Sequence, residues 1–233
     1  MESIITSDQL KPRLLLFDIY ETLLDMELLE RRVNAILNSK RGYIYWFEVF
    51  MQYCFVDNSL STYHPFSAIA RSTLQMAGKS LGVNVSSNQA DEVVELFDHL
   101  PLKEGITESL SQLYDLDFRI AALTNASQNI IENRMERTGL ISYFEAVMSA
   151  EKVKRYKPAR EVYEWAASQL MLQPGEILFI SSHNWDIAGA ANAGMKTAFL
   201  DNGNQLLYPL AKSPTLRVKN VELLAQQLKE AFS

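Results

Sequence analysis

Aliphatic runs recur along this chain, and each closes on a polar residue. RLLLFD at 13–18, FRIAALT at 118–124, EILFIS at 176–181 and KTAFLD at 196–201 contain no polar alternation. Runs of that length and composition predict strands buried on both faces. Between them GITESLSQLYDL, NIIENRMERTGL, AREVYEWAASQLML and DIAGAANAG place apolar residues at helical spacing. Strand and helix therefore alternate, which predicts an α/β fold with a parallel sheet and helices on both faces.

The rhythm breaks from residue 26 to 99. LLERRVNAILN and PFSAIARSTLQMAGKSLG read as helices, YIYWFEVFMQYCF as an aromatic helix, and no buried strand is evident. The expected organisation is an α/β core of residues 1–25 and 100–233 with an all-helical insert of residues 26–99. LPLKEG, holding Pro101 and Gly105, is the expected return hinge. In an open parallel sheet the ligand crevice lies beyond the carboxyl ends of the strands, where Asp18, Thr124 and Ser181 fall. A carboxylate at the end of a buried strand needs a compensating cation.

Composition narrows the functions. The 233 residues are 48% hydrophobic and 21% charged, with a formal net charge of -6, and the pI is near 5.2. That balance argues against a nucleic-acid or membrane-surface binder, since neither expectation fits an acidic chain. No apolar stretch approaches the roughly 20 residues that span a bilayer. The single cysteine, Cys54, permits no internal disulfide, and MESIITSDQLKPR lacks the apolar core of a signal peptide. A cytoplasmic location is expected. Three scattered histidines argue against a zinc site, and His64 and His99 read as structural or exposed.

The polar residues at the strand ends belong to four ordered motifs: FDIYETLLD, LTNAS at 123–127, YKPAREVY at 156–163 and SSHNWDIAGAANAG at 181–194. In order and spacing they resemble the haloacid dehalogenase superfamily, and more narrowly its metal-independent 2-haloacid dehalogenases. The resemblance covers nearly the whole chain and implies a Rossmann-like core with a helical cap inserted after the first motif. It implies Asp18 as a nucleophile that forms an ester with substrate carbon, later opened by water. Lys157 is then the cation that keeps Asp18 ionised, and Asp186 the acid that orients the lysine or activates water. Tyr20, Thr22, Thr124, Asn125, Tyr163, Ser181 and His183 are implied at the substrate. Lys152, Lys154 and Arg155 read as solvated charge.

The superfamily's phosphatases are the first rival. They carry an acid two residues after the nucleophile and another near the fourth motif that holds magnesium. Here these positions are Tyr20 and Ser182, so no metal and no cofactor are expected, and a small-molecule substrate is the implied partner. A catalytically silent binding protein is the rival from another class, opposed by the intact Asp18, Lys157 and Asp186 set. The oligomeric state stays open, a homodimer included.

Three departures from the dehalogenase pattern stand out. Glu21 replaces a usual glycine, so its backbone is expected to avoid conformations only glycine tolerates. His183 replaces a common asparagine. The arginine that receives halide, eight residues before a cap tryptophan, becomes Asn38 when counted from Trp46, with Lys40 and Arg41 as nearby substitutes. Most aromatics of YIYWFEVFMQYCF are expected in the core, with Trp46 and Phe47 facing the pocket.

Overall fold

Six parallel strands form one sheet in the order β3-β2-β1-β4-β5-β6. They are β1 (Leu14–Phe17), β2 (Arg119–Thr124), β3 (Ala146–Ser149), β4 (Ile177–Ser181), β5 (Lys196–Leu200) and β6 (Leu216–Val218). This computed structural model describes residues 11–203 and 206–232. The reading of the leader, and of residues 1–10 as core, lies outside the described residues.

The four aliphatic runs are β1, β2, β4 and β5. Because side chains alternate across a strand, β1 feeds two cores. Leu14 and Leu16 join Phe179, Tyr163 and Ile187 on one face. Leu15 and Phe17 join Ile120, Leu178 and Ile180 on the other. Each face is covered by helices, α7 (Arg160–Gln169) and α8 (Asn184–Asn192) on the first, α5 (Ile106–Asp115) and α9 (Val221–Phe232) on the second. A fifth core helix, α6 (Gln128–Arg137), follows β2. β3 and β6 escaped the sequence reading because they are edge strands of four and three residues, too short for a periodic signal.

Between β1 and α5 run α1 (Glu27–Ile36), α2 (Gly42–Leu60), α3 (Phe66–Ser80) and α4 (Ser87–Leu96), packed on one another without a strand among the described residues. α4 was not anticipated, although Ser86 and Gln89 form the reciprocal capping box that marks its start. The two connectors to this insert lie side by side. Asp25 N–H donates to Pro101 O at 2.8 Å and Lys103 N–H to Leu23 O at 2.9 Å. No helix is long and apolar enough to cross a membrane among the described residues.

Candidate active site

The parallel register carries Asp18, Thr124 and Ser181 to the carboxyl end of the sheet. Phe17 pairs with Ala122 and Ile180, and the Asp18 N–H extends the ladder to Ile180 O at 2.9 Å. Asp18 therefore leaves β1 level with Ser181, and both are buried.

The cation that a buried carboxylate requires is Lys157. Its Nζ donates to Asp18 Oδ1 at 2.7 Å, to Asp186 Oδ2 at 2.6 Å and to Leu123 O at 3.0 Å. All three donor protons of the ammonium are thus used, in a lysine only 1% exposed. Burial opposes its charge, but the two carboxylates hold its pKa above the ordinary value. Burial also raises Asp18, and here Lys157 and then His183 outweigh it, holding the carboxyl well below the usual range. Asp186 goes the other way: burial, reinforced by the Asp18 charge, leaves it raised despite Lys157.

The other oxygen of Asp18 is equally ordered. Thr22 Oγ1 donates to Oδ2 at 2.9 Å and accepts the Ser182 N–H at 3.0 Å. Ser181 Oγ lies 3.4 Å from the same oxygen and 3.3 Å from Asp186 Oδ2. His183 Nδ1 stands 3.2 Å from Asp18 Oδ2, and its Nε2 is 2.9 Å from Glu21 Oε2, in ion-pair range but off the line of a hydrogen bond. Burial disfavours an imidazolium, yet Asp18 and Glu21 together pull the His183 pKa up to about 10. His183 is therefore a cation at neutral pH, sandwiched between Phe47 and Trp185 at ring distances of 5.7 and 4.9 Å.

Glu21 reverses an expectation. Its φ is 62°, the left-handed region that glycine usually fills, at a cost of roughly 1–2 kcal/mol for another residue. The Lys103 ammonium on its carbonyl and His183 at its carboxylate hold it there.

Several expected substrate contacts hold the site together instead. Asn125 spans the backbone of Lys157, accepting its N–H at 2.8 Å and donating to its carbonyl at 3.3 Å. Thr124 Oγ1 accepts the Ala126 N–H at 3.2 Å in the turn after β2. Tyr163 is fully buried, and its hydroxyl donates to Asp186 Oδ1. Gly189 lets α8 approach, since a Cβ there would fall 2.6 Å from Pro158 Cβ and 2.7 Å from the Tyr163 hydroxyl. Tyr20 packs on Phe66 and Phe97, its hydroxyl buried without a partner among the described residues.

Trp46 does not face the cavity. It is fully buried against Phe50, and its Nε1 is shared between Ala70 O and Thr73 Oγ1, both at 3.2 Å. The next residue, Phe47, does face it. Asn38, Lys40 and Arg41 are all exposed in the α1–α2 loop, and none of them lines a cavity that opens beside His183. Cys54 is buried, which pushes its thiol up and away from nucleophilic use. The sequence reading passed over Trp185 and Glu21 as contacts of His183; an aromatic two residues beyond His183 was the available signal.

Asp18, His183 and Asp186 are the one group of metal-ligand types that converges among the described residues, their ligand atoms within 4.8 Å of one another. The position is filled by charge of the protein's own. Lys157 is paired with both carboxylates, and the Ser182 hydroxyl brings no anionic oxygen. Magnesium prefers hard, mostly anionic oxygens, so this donor set fits an ammonium and not that ion.

The model of the haloacid dehalogenase-like hydrolases matches residues 12–194. The (S)-2-haloacid dehalogenase of Pseudomonas sp. strain YL is 24% identical over 217 residues, 92% of this chain and 94% of that protein. A crystallised L-2-haloacid dehalogenase superposes with a TM-score of 0.87 at 23% identity, covering 94% of this chain and 100% of that one. The L-2-haloacid dehalogenase of Xanthobacter autotrophicus with chloropropionic acid covalently bound gives a TM-score of 0.79 at 21% identity, over 95% of this chain and 100% of the other.

Proposed function

Since the chain belongs to the haloacid dehalogenase-like hydrolases, we propose that it opens the carbon–halogen bond of an (S)-2-halocarboxylic acid through a covalent ester on Asp18, without metal. The observation that carries this reading is the buried ammonium of Lys157 bonded to both Asp18 and Asp186. Residues 26–99 act in it as a cap over the core.

In the first step an Asp18 oxygen forms a bond to C2 and the halide leaves with the bonding pair, inverting that carbon. A carboxylate held ionised serves this attack, and Lys157, Thr22 and His183 hold it so. In the second step water adds to the Asp18 carboxyl carbon and gives its proton to Asp186. The oxyanion forms beside the Lys157 ammonium, where preorganised charge is most effective. Collapse expels the substrate oxygen, which takes the remaining hydroxyl proton of the tetrahedral group as the Asp18 carboxylate re-forms, releasing an (R)-2-hydroxy acid, and Asp186 returns its proton to solvent. A raised Asp186 is the better proton acceptor for neutral operation. A phosphatase is opposed by Tyr20 and Ser182, which offer neither the acid for a leaving alcohol nor a magnesium ligand. All the groups involved come from one chain, and a free, buried Cys54 suits the reducing cytoplasm.

The test is one turnover of (S)-2-bromopropionate with enzyme in excess, in heavy-oxygen water containing chelator. Label in the peptide carrying Asp18 and unlabelled lactate of R configuration are expected. Label in the lactate and none in that peptide would overturn the covalent step, and activity lost to the chelator would overturn metal independence.

A further inference from the structure

Beside the buried site lies a cavity of about 930 Å³. Its floor is the aromatic sandwich around His183: Phe47 and Trp185 both line it, and His183 reaches from between them to Asp18. One wall is the second face of α2. That helix turns Trp46, Phe50 and Cys54 into the packing among α1–α4, while Phe47, Met51 and Phe55, spaced four apart, face the cavity. A helix apolar on two faces needs both covered, and here the described chain covers the second only in part, with His183 against Phe47 and Trp185 against Phe55.

The cavity is far larger than a two- or three-carbon acid requires, lying at the upper end of the roughly 300–1,000 Å³ typical of pockets for drug-sized ligands. Its charge is one-sided. Glu21, Glu30 and Glu48 line it, and no lysine or arginine does among the described residues. The imidazolium at its floor, His183, is already shared by Asp18 and Glu21. The carboxylate of a 2-haloacid is itself one negative charge for this site to hold. A second negative group further out would meet Glu21, Glu30 and Glu48, with no lysine or arginine among the described lining residues to offset them.

We propose that this cavity receives the substrate's side chain, a long alkyl or aryl substituent carrying no negative charge, so that the preferred substrate is a bulky monoanionic 2-haloacid. This assignment rests on the dehalogenation reading for the chemistry at Asp18, while the cavity's preference follows from its own lining. Apolar burial contributes roughly 0.8 kcal/mol per methylene, which is up to about fourfold in kcat/KM for each carbon that enters.

The test compares 2-bromopropionate, 2-bromohexanoate and 2-bromosuccinate as substrates, and measures by calorimetry the binding of propionate, hexanoate and succinate to the whole protein. The proposal expects kcat/KM at least tenfold higher for bromohexanoate than for bromopropionate, with bromosuccinate the poorest. Hexanoate should likewise bind tightest and succinate weakest. Glu48→Lys should narrow the gap between bromohexanoate and bromosuccinate at least fivefold. A flat response to chain length, or a preference for the succinate pair, overturns the proposal while leaving dehalogenation standing. If no bromoacid turns over, the dehalogenation reading fails, and the order of the three binding affinities alone upholds or overturns the cavity's preference.

Discussion

Asn125 clasps Lys157 by its backbone, one side-chain amide meeting both the N–H and the C=O of the lysine. The turn after β2 thereby helps fix the loop that delivers the ammonium to Asp18, one amide holding the backbone of a residue 32 positions away in sequence. A buried polar pair of this kind loses roughly 1–3 kcal/mol when one partner is removed.

Asn125→Ala should therefore lower kcat by roughly 5- to 150-fold with little change in KM, because the lysine is misplaced and not the substrate. Steady-state kinetics on a 2-bromoacid decide it. A KM that rises while kcat holds would mean that the amide grips substrate directly.

The ammonium itself is the more severe deletion. In Lys157→Met, Asp18 and Asp186 face one another without the charge that separates them. Removing one partner of a buried ion pair costs about 3–5 kcal/mol, so the urea midpoint should drop markedly and turnover should vanish. Adding Asp186→Asn removes one uncompensated carboxylate and should return part of the stability, but no turnover. Equilibrium unfolding of the two variants checks this, and a double variant no more stable than the single one would count against it.

What the sequence disclosed and what it hid divide along physical lines. Asp18 was legible because the strand runs place it at the carboxyl end of the sheet, where a buried carboxylate needs a cation; that Lys157 supplies it with Asp186 beside it was implied by the resemblance of the four ordered motifs and not by any local pattern. Trp46 was misjudged for the same reason that Phe47 was found. In a helix apolar nearly all round, periodicity does not say which face meets the neighbouring helices. Only packing settles that, here through the indole N–H that needed Ala70 O and Thr73 Oγ1. Asn125, Thr124 and Tyr163 were placed in the right neighbourhood, yet their partners turned out to be backbone groups and Asp186. Those partners lie in segments distant in sequence, so no local pattern announces them. Glu21 was hidden likewise, since its left-handed backbone is held by Lys103 and His183 across the site.

His183 gives the fold a pH dependence with a definite sign. Its pKa is about 10 in the folded protein and near 6.5 in the unfolded chain. Between those values the folded state holds the extra proton, so the stabilisation is complete below about pH 6.5 and is lost as pH rises toward 10. The loss is at most about 1.4 kcal/mol per pH unit. Urea midpoints at pH 7 and pH 10 should therefore fall further for the wild type than for His183→Asn, which has no such proton. Equal falls would show that the imidazole is neutral between Asp18 and Glu21.

Gly189 tests how closely α8 must approach the lysine loop. Glycine to alanine inside a helix ordinarily stabilises by roughly 0.5–1 kcal/mol, but a Cβ at this position meets Pro158 Cβ at 2.6 Å and the Tyr163 hydroxyl at 2.7 Å. Backbone and ring atoms do not yield as a flexible side-chain tip does, and overpacking of this kind costs about 1–3 kcal/mol. The overlap should win. Gly189→Ala should lower the thermal midpoint and cut kcat at least tenfold, because the turn of α8 that carries Asp186 is pushed away from Lys157 Nζ. Gly175→Ala is the control, since a Cβ there finds nothing nearer than Gly194 O at 3.8 Å, and it should leave both measurements close to wild type. A Gly189→Ala enzyme with wild-type kcat would mean that the 2.6 Å contact between Lys157 and Asp186 tolerates displacement of the helix, and that the acid does its work without a fixed distance to the ammonium.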